Sequence, residues 1–156
     1  MEIMYEQPET NSINVTAPQT QKKVLYTAKD HTTGGRDGGQ FKSSDGRLES
    51  KLSDPGTSGL DTNPEQLLAV GWSTCFISAM RLAAAKMKVR FPADAFIDTE
   101  VDLLSDTAGY ALQARLNISL PGLERELAKT IAEEAHQICP YSKATRGNIG
   151  VQLNLL

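Results

Sequence analysis

From residue 110 to residue 120 the chain alternates without a fault. Tyr110, Leu112, Ala114, Leu116, Ile118 and Leu120 fall on one face, and Gln113, Arg115, Asn117 and Ser119 on the other. A period of two predicts a strand with one face on a core. Residues 96–104 read as its partner, joined to it by the turn run Ser105, Asp106, Thr107, Ala108, Gly109. Residues 149–156 read as a last strand with Val151, Leu153 and Leu155 inward. Toward the start, residues 24–32, 40–43 and 47–53 are β-rich. They are separated by a glycine cluster that carries Arg36 and by the turn Ser44, Asp45, Gly46. Residues 54–63 are a Pro/Gly/Ser loop.

Two stretches have helical character, and they differ sharply. Residues 64–88 carry a single charge, Glu65, before Arg81. Thr62 or Asn63 caps this helix, Pro64 suits its first position, and Glu65 suits the positive end of its dipole. A helix apolar nearly all round belongs at the centre of a domain. Residues 123–139 are amphipathic, with Glu124, Arg125, Lys129, Glu133 and Glu134 on the polar face, and Pro140 stops them. The order βββ-α-ββ-α-β predicts an α+β fold with helices segregated against antiparallel sheet. Residues 1–23 are polar and without sustained period, and are expected to form a mobile extension outside a single domain at 24–156.

A length of 156 residues suits one domain, and 40% hydrophobic with 22% charged residues is an ordinary globular composition. The net charge of −3 argues against non-specific nucleic-acid binding, which needs a cationic surface. Glu2, Glu6 and Glu9 are out of place in a secretory leader, and the weakly polar run 67–80 is shorter than a bilayer span of roughly 20 residues. The expectation is a cytoplasmic protein with no membrane and no nucleic-acid partner. Two cysteines are too few for a disulfide scaffold, which leaves redox, metal or plain burial as roles for the thiols.

Cys75 shares a helical stripe with Leu68, Gly71, Ala79 and Leu82, and Cys139 shares one with Ala128, Ala132 and Ala135. Small residues on both stripes let two helices approach, which favours a thiol pair; two buried hydrophobes fit the same pattern. A thiol that reduces peroxide must ionise, and an apolar helix opposes that. Arg36 is the candidate cation and Glu65 a carboxylate able to orient its fork; a solvated arginine and a helix-dipole carboxylate are the plainer alternatives. Glu65 and Cys75 lie ten positions apart, about 15 Å along a straight helix, so one rod cannot bring both to one atom. Arg36 spans between them, the helix breaks near Gly71, or a second subunit supplies one member.

Several runs resemble the organic hydroperoxide resistance (Ohr) proteins of the OsmC/Ohr family. They are Gly34, Gly35, Arg36, Asp37, Gly38; Ser43, Ser44, Asp45, Gly46; Thr62, Asn63, Pro64, Glu65, Gln66, Leu67; and Cys75, Phe76. Further along come Leu120, Pro121, Gly122, Leu123; Ala135, His136, Gln137, Ile138, Cys139, Pro140, Tyr141, Ser142; and Ala144, Thr145, Arg146, Gly147, Asn148, Ile149. The likeness runs from Val24 to the C-terminus. It implies an intertwined homodimer, with antiparallel sheets packed around central helices and sites at the subunit interface. It also implies a thiol peroxidase acting on alkyl and fatty-acid hydroperoxides in the response to oxidative stress. No cofactor is bound; dihydrolipoamide or a lipoylated protein is the external reductant. By position Cys75 matches the peroxidatic cysteine and Cys139 the resolving one. Arg36 matches the arginine that stabilises the thiolate, and Glu65 the carboxylate that holds it. The chain departs from the pattern at Trp72, Ser73 and Thr74 and at Lys143, and Trp72 is expected to reshape the peroxide pocket.

Rival readings differ in what they need. Cys75, Cys139, His31 and His136 form a nominal Cys₂His₂ set, but no pair has the close spacing of a zinc finger or ribbon. A non-catalytic lipid- or small-molecule-binding module would use an apolar pocket formed by Leu68, Trp72, Phe76 and Leu82 without needing either thiol. Residues 71–75 lack the closing glycine of a serine hydrolase elbow and sit within a helix.

Overall fold

The second half of the alternation becomes the floor of the core: Ala114, Leu116, Ile118 and Leu120 are buried and their intervening neighbours half covered, whereas Leu112 is only half-buried and Tyr110, at the start of the strand, is 81% exposed. The computed structural model describes residue 13 and residues 22–156. Residues 1–12 and 14–21, most of the expected extension, lie outside the described residues. In chain order the elements are β1 (Asp30–Thr33), β2 (Gln40–Ser43), β3 (Glu49–Lys51), α1 (Pro64–Lys86), β4 (Phe96–Asp106), β5 (Gly109–Ser119), α2 (Arg125–Ile138), α3 (Pro140–Thr145) and β6 (Gly150–Leu155). The α+β class is as the pattern predicts.

Two three-stranded sheets result, in the orders β1-β2-β3 and β4-β5-β6. The expectation of purely antiparallel sheets is corrected at β6. It pairs parallel to β5, Gln113 opposite Gly150 through Ile118 opposite Leu155, whereas β4 and β5 form an antiparallel hairpin. The cause lies in the connection: α2 and α3 carry the chain back across the sheet, and a helical crossover returns a strand in its original direction.

Helix α1 starts where its signals place it. Asn63 Oδ1 accepts from the Gln66 N–H at 2.9 Å, Pro64 fills the first turn and Glu65 sits beside it. It stops two residues short of the expected end, as Lys88 takes a left-handed φ of 57°. At 23 residues α1 meets the length and composition criterion for a bilayer span, yet Trp72, Phe76, Ala79, Met80, Ala83 and Ala84 are buried against protein. It packs on β4, α2 and α3. It is not enclosed all round, however: Val70 and Leu82 are 63% and 61% exposed. The reason is the small N-terminal sheet, which makes no substantial packing contact with any other element of the chain.

Helix α2 begins at Arg125, because the Glu124 carboxylate caps the N–H groups of Glu126 and Leu127. Pro140 does end α2, but it also opens α3, a short helix that the pattern does not reveal. Cys139 is the hinge residue, the C-cap of one helix and the N-cap of the next. The strand expected at 24–32 is cut to Asp30–Thr33, and Val24, Leu25 and Tyr26 are exposed.

Leu116→Ala is expected to lower unfolding stability by about 2–5 kcal/mol, as for other buried leucines, and Asn63→Ala by about 1 kcal/mol through loss of the cap. Urea midpoints measured at one fixed protein concentration test both values.

Candidate active site

The stretch of α1 around Cys75 is where small residues matter. A Cβ at Gly71 would lie 2.7 Å from Tyr141 Oη, so the tyrosine can rest across α1 only because no side chain stands there. Ala79 on α1 and Ala128, Ala132 and Ala135 on α2 are likewise buried. The predicted close approach of the two stripes is therefore present, and it brings Cys139 to Cys75.

Both cysteines are free thiols, Cys75 half-buried and Cys139 fully buried. Desolvation pushes the Cys75 thiol above its ordinary range, and a hydrogen-bonding contact with the Cys139 thiol pushes it the same way. A second negative sulfur so close would repel the first. One interaction works in the opposite direction: the Tyr141 backbone N–H donates to the Cys75 sulfur. Among the described residues no cation is one of the groups that act on Cys75.

The second pair lies at the start of α1. Arg36, on the glycine loop after β1, grips Glu65 with both arms, Nη2 to Oε1 at 2.5 Å and Nη1 to Oε2 at 3.3 Å. The loop needs its glycines: Gly34 has φ +80°, and a Cβ there would meet Gly39 Cα at 2.7 Å. The guanidinium holds the Glu65 carboxyl below the usual carboxylate range, and the carboxylate raises Arg36 in turn. The Arg36–Glu65 contact anticipated from sequence is thus formed.

One chain assembles two pairs and does not join them. The helix is continuous from Pro64 to Lys86, which overturns a break near Gly71 as the way to bring Glu65 and Cys75 together. Arg36 is engaged by Glu65 and is absent from the groups acting on Cys75.

Several other expectations are corrected. Trp72 and Phe76 have no exposed surface and belong to the core. The large apolar groove, about 970 Å³, lies elsewhere, between β2–β3 and the first half of α1. Leu48, Leu52, Leu67, Val70 and Tyr141 line it, and Leu68, Trp72, Phe76 and Leu82 do not. Among the described residues no group of three or more His, Cys, Asp or Glu is placed to hold a metal ion, so the nominal Cys₂His₂ set is not assembled. His136 is instead packed beside Arg146, which donates to its carbonyl, and burial lowers its imidazole. The sequence reading missed Tyr141 as a contributor, and missed that Trp72 Nε1 donates to Ser142 Oγ at 3.3 Å. Recognition of Pro140 as a helix-opening residue was the signal available.

Residues 56–154 match the OsmC-like protein family. An organic hydroperoxide resistance protein of Xanthomonas axonopodis pv. citri is 46% identical over 138 residues, covering 86% of this chain and 96% of that protein. The crystal structure of the organic hydroperoxide resistance protein OhrB of Bacillus subtilis superposes with a TM-score of 0.80 at 37% identity, covering 85% of this chain and all of that one. An organic hydroperoxide resistance protein from Legionella pneumophila gives 0.79 at 38% identity, covering 85% of this chain and 98% of that one.

Because the folded Glu65 carboxyl is depressed, its contribution to stability is complete above the unfolded carboxylate value of about 4.3 and fades as pH falls through the lower folded one. Glu65→Gln should therefore be less stable than the parent at neutral pH, with the gap closing below about pH 4. Denaturation curves of both proteins across pH 3 to 7 measure it.

Proposed function

The chain belongs to the OsmC-like protein family, among its organic hydroperoxide resistance proteins, and on that premise we propose that it is a thiol-dependent peroxidase for organic hydroperoxides. The observation that carries this reading is the meeting of two free thiols, one half-buried and one buried, across α1 and the α2–α3 hinge. The Cys75 thiolate attacks the distal oxygen of an alkyl or fatty-acid hydroperoxide, whose O–O bond breaks. The alkoxide leaves and takes up a proton as the alcohol, and the sulfur becomes sulfenic acid. The Cys139 thiol condenses with that acid, expelling water and forming the disulfide. An external dithiol, dihydrolipoamide or a lipoylated protein, then attacks the more accessible Cys75 sulfur, is itself oxidised to a disulfide and restores both thiols.

This sequence of steps needs a cation that a single chain does not supply to Cys75. We assign that role to Arg36 of a second copy, oriented by its own Glu65, in a homodimer whose sites lie at the subunit interface. Support comes from the uncovered face of α1 at Val70 and Leu82 and from an N-terminal sheet that makes no substantial packing contact with another element among the described residues. A guanidinium so placed favours the thiolate against the desolvation that opposes it, and it also stabilises charge developing on the peroxide oxygens. The assigned setting is the cytoplasm, where the thiols stay reduced between turnovers.

A non-catalytic binding module draws its support from the apolar groove of about 970 Å³. Its signature is ligand affinity that survives removal of both thiols, with no peroxide consumed.

Cys75→Ser should abolish turnover of an alkyl hydroperoxide with dihydrolipoamide. Cys139→Ser should consume one equivalent and stop, its sulfenic acid captured by a trapping reagent. One equivalent of hydroperoxide should cost the wild-type chain two protons in intact mass, and hydrogen peroxide should be the poorer substrate. Sustained turnover by Cys75→Ser ends the reading. Co-expression of Arg36→Met with Cys75→Ser tests the shared site: equal mixing leaves one complete site in each heterodimer, and about a quarter of wild-type turnover returns. A cis arrangement returns none.

A further inference from the structure

Helix α3 is attached to α1 at two points besides the sulfur itself. One is a steric seat, with Tyr141 resting across the bare backbone of Gly71. The other is polar: the Trp72 indole N–H donates to the Ser142 hydroxyl at 3.3 Å. Neither residue has exposed surface. Among the described residues this is the one hydrogen bond that joins a side chain of α1 to a side chain of α3.

Its placement relative to the sulfurs is symmetrical. Trp72 lies three residues before Cys75 on α1, and Ser142 lies three residues after Cys139, on the element that Cys139 caps. Residues three apart on a helix are surface neighbours, so the contact sits one turn from the thiol on each side. With no water to compete, loss of the acceptor leaves a buried indole N–H without a partner, and loss of the donor frees the α3 turn to shift. A hydrogen bond this close to both thiols governs how much of the time the sulfurs face one another.

We propose that the Trp72–Ser142 hydrogen bond is a latch that holds the Cys139 hinge against Cys75, making Trp72 and Ser142 positioning residues for closure of the disulfide. The proposal rests on reading Cys75 and Cys139 as a redox pair. It assigns Trp72 a purpose other than shaping the peroxide pocket, and it gives Ser142 a role in the chemistry without contact with any reacting atom. The Tyr141 N–H that acts on the Cys75 sulfur belongs to the residue directly before Ser142.

Closure is measured without peroxide, in buffers of reduced and oxidised dithiothreitol. The Cys75 thiolate attacks oxidised dithiothreitol, forming a mixed disulfide and releasing one thiolate of the reagent. The Cys139 thiolate then displaces the second, so the protein loses two electrons and the reagent gains them. The oxidised fraction is read by alkylation and intact mass. Ser142→Ala and Trp72→Phe should each lower the closure equilibrium constant about fivefold, and the double variant should fall no further than either one. Ser142→Thr, which keeps the hydroxyl, should recover most of the loss. A constant within about twofold of wild type in folded Ser142→Ala, or additive effects in the double variant, overturns the latch. Purely structural packing would lower the thermal midpoint and leave the constant in place. Should Trp72→Phe fail to fold, Ser142→Ala and its rescue by Ser142→Thr decide alone. A wild-type chain that closes with dithiothreitol but ignores organic hydroperoxide defeats the peroxidase reading and leaves the latch standing. A wild-type chain that closes with neither defeats both.

Discussion

The architecture around the two sulfurs depends on the absence of a side chain. Gly71 leaves the backbone of α1 open, Tyr141 lies across it, and the α2–α3 hinge comes near enough for Cys139 to face Cys75. Alanines at 79, 128, 132 and 135 extend the same close approach along the helices. Helix axes ordinarily stand about 8–10 Å apart, too far for sulfurs to meet unless both surfaces are stripped back. Every chemical statement about the pair follows from that proximity.

Proximity sets up a conflict. The burial that brings the thiols together also opposes ionisation of Cys75, and the neighbouring thiol adds to the opposition. Among the described residues only a backbone N–H from Tyr141 leans the other way. Arg36, a permanent cation, stands locked to Glu65 in the first turn of α1, ten positions before Cys75. A rigid helix keeps the two pairs apart, so the proposed chemistry and the proposed dimer are one question. If Arg36 of a second copy reaches Cys75, the half-covered α1 and the sparsely packed N-terminal sheet have the same explanation.

Sulfur chemistry in such a setting is sensitive to small displacements. Cys139 sits at the joint of two helices, where its N–H donates back to the Ala135 carbonyl at 2.8 Å and its own carbonyl accepts from the Lys143 N–H at 2.9 Å. Its position is therefore set jointly by α2 and by what anchors α3. Trp72 and Ser142 meet across the core beside the sulfurs, while the Thr145 hydroxyl donates to the Tyr141 carbonyl within α3 itself.

Local physics was legible in the sequence. The alternation of Tyr110 to Leu120, the cap at Asn63 with Pro64 and Glu65, the glycine loop around Arg36 and the small-residue stripes bearing Cys75 and Cys139 all depend on neighbours within a few positions. Such features are written in the order of residues. What joins distant segments was not. The parallel return of β6 followed from the path taken by α2 and α3, and the second role of Pro140 from the packing that received α3. The contact of Trp72 with Ser142 spans 70 positions, and that of Arg36 with Glu65 spans 29. The family resemblance anticipated the latter; nothing in residue order pointed to the former. A hydrogen bond between remote side chains exists only after the core has brought its two ends together, so tertiary structure alone decided it.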